Sequence, residues 1–309
     1  MTAGIDPFTG LAHMLSHAYM QRAFVAGSLV ALACGLSGYP LVLRTQVFSG
    51  DALSHVAFTG AMFALAVGID LRVGLFAGCT VVALAMAVLG RRGLADDAVI
   101  GSIFAWILGL GSLFLTLYTT HRSAHGGGVT GVTALFGSIF GMTASQAWVA
   151  ALVAAGVSAV LLAISRPLLF ASVDPEVAVS RGVPVAALGF GFLILVGVTA
   201  GEATQTVGAL LILGLIAAPG GTAQYLSNRP FPAMFLSGGL AVLSIWIGLS
   251  IAYAAPAVPP SFTIIAASTI VFFASMGASR VRNRSSRPAG SVDDVAAGAV
   301  RGPRSLGVR

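Results

Sequence analysis

"SGDALSHVAFTGAMFALAVG", residues 49–68, begins with an aspartate and a histidine four residues apart and then runs apolar for the length of a helix. A run of that length and composition suits a membrane-crossing helix, and it sets the fold class: an all-α, polytopic transmembrane helix bundle. Asp51 and His55 stand at its mouth, and ionisable residues within spans cost about 2.5–3.5 kcal/mol on insertion scales. At i, i+4 spacing both side chains share one helix face. Two readings fit. Asp51 can satisfy free amides at a helix start while His55 bonds a neighbouring helix, or the pair marks the route of an ion.

The rest of the chain repeats the apolar pattern. Its 309 residues are 57% hydrophobic and only 8% charged, where a soluble domain carries about 25% charged residues. Apolar runs bounded by polar or Gly/Pro breaks lie near 18–43, 52–68, 71–90, 98–118, 146–165, 185–200, 205–226, 232–254 and 261–279. The run at 205–226 contains Pro219-Gly220-Gly221, which predicts a broken or re-entrant segment and a count of eight or nine spans. Gly74/Gly78, Gly137/Gly141 and Gly197/Gly201 have the spacing that lets helices approach closely. Cys34 and Cys79 fall inside apolar runs without C-x-x-C spacing and read as small core residues.

The charges divide the chain. All sixteen cations are arginine and there is no lysine. A P-loop needs a lysine to reach the β/γ-phosphates, so this chain cannot form one, and any ATP hydrolysis must belong to another subunit. Seven of the arginines lie in the last thirty residues, in a Gly/Ser/Pro-containing stretch that reads as a disordered cytoplasmic tail rather than a nucleic-acid-binding arm. The expected organisation is an N-terminal segment (1–17), a membrane domain (18–280) and a basic tail (281–309). No basic n-region precedes an h-region, so no cleavable signal peptide is expected. H-E-x-x-H and G-x-S-x-G are both missing, which argues against a hydrolase.

Arginine placement orients the bundle. Residues 91–97, 166–181, the turn at Arg229 and the tail are expected inside. The N-terminus and the segments near 69–71, 119–145 and 255–260 are expected outside. His121 and His125 then fall in a glycine-rich outer loop, where helical spacing carries little meaning. His13 and His17 form a further i, i+4 pair beside Tyr19, as an interfacial pair or a weak metal site. Glu202, in "TAGEATQTVG", reads as a solvated acid at an outer turn, with a place on an ion pathway as the second possibility. "ASVDPEVAVSRGVPV" (171–185) is patterned as a short helix: Asp174 caps, Pro175 takes the first position, Glu176 suits the first turn and Gly182 the stop.

Several of these stretches together resemble the permease subunits of the manganese/zinc/iron ABC importers, the ABC-3 family. They are "YMQRAFVAG" (19–27), "GDALSHVAFTG" (50–60), "DDAVIGSIFAW" (96–106), "LFGSIFGMTASQ" (135–146), "DPEVAVSRGV" (174–183), "TVGALLILGLIAAPGGTAQYLS" (206–227) and "PPSFTII" (259–265). They occur in the family's order and cover nearly all of 18–280. The resemblance implies a type II importer permease of the cell membrane working as a homodimer, with a cytoplasmic ATPase and an extracytoplasmic metal-binding protein as partners. It implies that Asp51 and His55 meet a passing divalent metal, and that Asp174, Glu176, Ala178 and Gly182 belong to the ATPase-docking loop. The metal is cargo, and no permanently bound cofactor is expected. A siderophore or cobalamin permease of the same fold would need no Asp/His pair. A gradient-driven secondary transporter would need mid-span carboxylates and no docking helix. One oxygen and one nitrogen ligand suit manganese, iron or zinc alike.

Overall fold

The computed structural model describes residues 14, 16–89, 97–122, 135–209 and 212–285. Ten helices follow one another: α1 (Ala18–Leu43), α2 (Val47–Val67), α3 (Leu71–Leu89), α4 (Asp97–Arg122), α5 (Ala144–Val173), α6 (Pro175–Ser180), α7 (Val185–Thr206), α8 (Ile212–Leu226), α9 (Pro230–Ala254) and α10 (Pro260–Ser285). Among the described residues there is no strand. Seven helices are long and apolar enough to cross a membrane, and Leu71–Met86 of α3 is a shorter apolar helix. With α8 they occupy the nine expected positions. At 15 residues and 1.5 Å per residue, α8 is roughly 22 Å long, short of the ~30 Å hydrocarbon core.

α1 is the axis of the larger core and packs against α5, α8 and α9. Small residues make this possible. A Cβ on Gly35 would collide with the main chain of Ser237 and Gly238, and one on Gly38 with the carbonyl of Ile216. Apolar side chains gain little by leaving lipid for protein, so backbone proximity and van der Waals contact hold such helices together. A second cluster joins α2, α3 and α4 through Val56, Met62, Leu75, Cys79 and Ile107, and Gly60 and Gly74 face each other at the α2–α3 crossing. α4 is the most open span, with only 17% of its apolar window buried.

Several expectations change. Pro219-Gly220-Gly221 does not break a helix: α8 runs through all three residues, with Gly220 against Gly38 and Gly221 against the Phe272 ring. Packed neighbours sustain a helix through a proline that would break it in isolation. The break comes earlier, at Gly208 (φ +100°), where the chain leaves α7. Gly197 and Gly201 pack on Cys79 and Leu75 of α3, and Gly74 and Gly78 on α2, as their spacing predicts. Gly137 does not act this way. Its φ of +74° places it in a link whose main chain crosses Val207 and Gly208, a region where a side chain is both strained and obstructed. α4 extends through Arg122, so His121 belongs to a helix rather than a loop, while His125 lies outside the described residues. α10 continues to Ser285, so the expected tail begins within a helix, and 286–309 lie outside the described residues.

Candidate functional site

α2 begins at Val47 after a three-residue elbow from α1, and Gln46 is its N-cap without a side-chain cap bond. Asp51 therefore lies beyond the first turn and does not cap the helix, which removes one of its two sequence readings. Asp51 and His55 are both partly exposed. One turn apart, their Cβ atoms are separated by roughly 5–6 Å. Asp51 borders a cavity of about 320 Å³ between α2 and α4, with Phe48, Ala52, Ile100, Gly101 and Phe104. His55 meets the Phe104 ring edge-on, with centroids 5.1 Å apart.

Three side chains that bond to main-chain carbonyls fix this segment of α2. Ser54 donates to the Asp51 carbonyl at 2.7 Å and to the Ala209 carbonyl at 3.0 Å, tying α2 to the link ahead of α8. Thr59 donates to Ile107 of α4 at 3.0 Å. The Cys79 thiol of α3 donates to Leu53 at 3.5 Å. The helix is held on three sides and open toward the cavity. Ser54, Thr59 and Phe104 were not singled out from sequence, because Ser, Thr and Phe in apolar helices are too common to mark a site.

Among the described residues, no three His, Cys, Asp or Glu side chains gather closely enough to hold a metal ion. One chain brings one such ligand to the cavity, the Asp51 carboxylate, with the His55 imidazole one turn further along α2 against the Phe104 ring that lines it. His17 is not among them. It is the N-cap of α1, stacked on Tyr19 at 5.5 Å and near Tyr253 at 6.4 Å, with the 26 residues of α1, roughly 39 Å of helix, between it and the elbow. That is the aromatic setting its position beside Tyr19 suggested. His13 lies outside the described residues.

Glu202 departs most from expectation. It is 1% exposed, inside α7, and neither carboxylate oxygen has a hydrogen-bond donor among the described residues. The reading of a solvated turn fails because the turn is covered. Gly201 presses on Leu75 and Phe76 of α3, and the Gly137–Ser138 link crosses the end of α7, with the Ser138 amide bonded to the Gln205 carbonyl at 3.4 Å. The charge that acts on Glu202 is Arg72, whose own Nη2 donates to the Gln146 carbonyl at 3.3 Å.

The short helix α6 forms as its sequence predicts. The Asp174 carboxylate accepts from the Val177 amide at 3.0 Å, Pro175 opens the helix, Glu176 occupies its first turn, Ala178 is fully buried, and Gly182 follows with φ +78°. Val177 and Val179 are exposed. A groove of about 1170 Å³ runs along α6 and the start of α7, lined by Asp174, Glu176, Val179, Val183 and Ala186 among others.

A bundle of span-length helices, with a capped surface helix and an ionisable pair beside a cavity between spans, is the build of a polytopic membrane protein. The chain belongs to the ABC 3 transport family, whose model matches residues 16–279. It is similar to the manganese transport system membrane protein MntC of Halalkalibacterium halodurans, at 28% identity over 83% of this chain and 86% of that protein. It is also similar to a manganese import system permease protein ScaB of Streptococcus pneumoniae, at 28% identity over 82% and 86%. A third relative carries the name "Probable iron transport system membrane protein" in Haemophilus influenzae, at 26% identity over 80% of this chain and 89% of that protein. The fold matches a chain of the solved structure of PsaBC from Streptococcus pneumoniae in complex with Fab, with a TM-score of 0.74, 23% identity, and coverage of 86% of this chain and 94% of that one. The chain is thus a membrane component of a transport system, not an enzyme.

Proposed function

We propose that this chain forms the translocation pathway of an ATP-driven importer for a divalent transition metal, with manganese, iron and zinc as the candidate ions. The observation that carries this reading is the pair Asp51 and His55, one turn apart on α2, with Asp51 lining the α2–α4 cavity and His55 against its Phe104 wall. Two ligands are few for a divalent ion, which takes four to six. A second copy across the open α2/α4 side would raise the count to four, with water completing a coordination loose enough to release its cargo. Binding requires Asp51 ionised and His55 neutral. The groove along α6, with exposed valines beside Asp174 and Glu176, suits a separate cytoplasmic ATPase. This chain has no lysine with which to build an ATP site of its own. An extracytoplasmic binding protein would deliver the ion. The deciding experiment is uptake of radioactive manganese by cells carrying Asp51→Asn or His55→Ala. Each is expected to abolish uptake at normal membrane expression, and retained uptake in both would remove the pair from the pathway.

One observation favours a second reading. Glu202 is a buried carboxylate within a span, the kind of group a gradient-driven transporter uses. Uptake into ATP-depleted vesicles under an imposed proton gradient separates the two readings, and none is expected.

A further inference from the structure

The elbow between α1 and α2 holds a half-buried cation that the proposed pathway does not use. Arg44 is the C-cap of α1, and its Nε donates to the Ser172 hydroxyl of α5 at 2.7 Å. Ser172 passes a bond of 2.6 Å to the Leu168 carbonyl. The guanidinium lies over the Phe192 ring of α7, 5.1 Å from its centroid. Burial lowers Arg44 to about 10, so it remains a cation at neutral pH. Among the described residues its Nη2 is buried without a hydrogen-bond partner, as are both amide atoms of Gln46 and the Ser49 hydroxyl.

The backbone at this point is constrained as well. Thr45 has φ +57° and is the one non-glycine residue with positive φ among those described. A β-branched side chain there is disfavoured and persists only where surrounding structure imposes it. Its amide bonds to Val42 at 3.1 Å, and that of Gln46 to Leu41 at 2.9 Å, closing α1 sharply before α2 begins.

The connectivity gives the elbow a role. Ser172 is two residues ahead of Asp174, the cap of α6, and Asp51 is seven residues beyond Arg44. We infer that Arg44 is a positioning residue that links the α5–α6 corner to the helix carrying Asp51 and His55, so that a shift of the docking helix moves the ligand pair. The inference rests on the proposed roles of α6 and of that pair. Charge is not what carries the link. Contact does. A planar guanidinium can bond Ser172 through Nε while it stacks on Phe192, and a lysine cannot do both. Buried donors left unmet are costly, and a second arrangement of the corner that meets them would give the elbow two states.

The test uses the permease reconstituted in liposomes with its ATPase and binding protein, comparing Arg44→Lys, Ser172→Ala and the double variant. Two quantities are read: ATP hydrolysis, and manganese moved per ATP. Each single variant is expected to keep basal hydrolysis and thermal stability while manganese per ATP falls about tenfold, and the double variant to fall no further than the worse single. Unchanged manganese per ATP in both singles, or losses that multiply in the double, would overturn the link. If Arg44→Lys does not fold, Ser172→Ala with Phe192→Leu forms the cycle instead. Asp51→Asn runs alongside: if it transports normally, the pathway reading fails whatever the elbow variants do.

Discussion

The Phe104 ring of α4 meets the His55 imidazole of α2 edge-on, with centroids 5.1 Å apart and planes inclined at 69°. An edge-on aromatic contact is worth about 0.5–1.5 kcal/mol beyond burial, and this one holds the imidazole against Phe104, one turn from Asp51. Phe104→Ala is expected to free His55 without removing it. Manganese uptake should then show a KM raised about fivefold, corresponding to about 1 kcal/mol, with the permease still assembled. An unchanged KM would mean that His55 is positioned by other contacts.

Glycine substitutions should separate close packing from open surface. Gly38→Ala drives a methyl into the Ile216 carbonyl, whereas Gly156→Ala on α5 meets nothing within 4 Å. The first is expected to lower stability by about 1–3 kcal/mol and the second to leave it unchanged or slightly raised. Thermal unfolding of the detergent-solubilised protein followed by size-exclusion chromatography measures both. Equal melting of the two variants would contradict the α1–α8 contact.

The short helix α6 should be sensitive at its ends. Asp174→Ala removes a cap worth about 1 kcal/mol. Gly182→Trp places a side chain at φ +78°, with open space around it but a strained backbone beneath. Together with Glu176→Arg, these changes are expected to leave the bundle inserted while ATPase association falls. Co-purification of the ATPase with each variant tests this, and wild-type recovery in all three would detach α6 from docking.

Glu202 is expected to trade stability for function. Both oxygens are buried without donors, so Glu202→Met should stabilise the fold by about 1–3 kcal/mol, the cost of unmet buried polar groups. A residue retained at that cost is expected to be used, and uptake should fall in the same variant. A melting temperature below wild type would show that the carboxylate finds partners; full uptake would take Glu202 out of the pathway.

Legibility in the sequence followed the range of the forces involved. α6 was readable because its determinants are local: Asp174 bonds an amide three residues on, Pro175 fixes the first turn, and Gly182 supplies a backbone conformation that few residues adopt. The spans were readable from apolar length. Asp51 and His55 stood out because ionisable groups in such runs are rare. Glu202 was misread because its burial comes from α3 and from a link some 65 residues earlier in the chain, neither visible in "TAGEATQTVG". Pro219-Gly220-Gly221 was misread for the same reason. Local propensity predicts a break, and packing against Gly38 and Phe272 overrides it. Arg44 passed unnoticed because an arginine at the end of a span looks like an ordinary flank until Ser172 and Phe192 are found around it.

The three bonds that steady α2 around the ligand pair share one property: Ser54, Thr59 and Cys79 all donate to peptide carbonyls, at Ala209, Ile107 and Leu53. A carbonyl is supplied by every amino acid. The accepting positions can therefore change identity over evolutionary time, within the limits of size, while the geometry around Asp51 and His55 is inherited intact. Chimaeras that exchange α4 or the 207–209 link between distant relatives should keep that geometry, because the recipient helix recognises the donor's backbone and not its side chains.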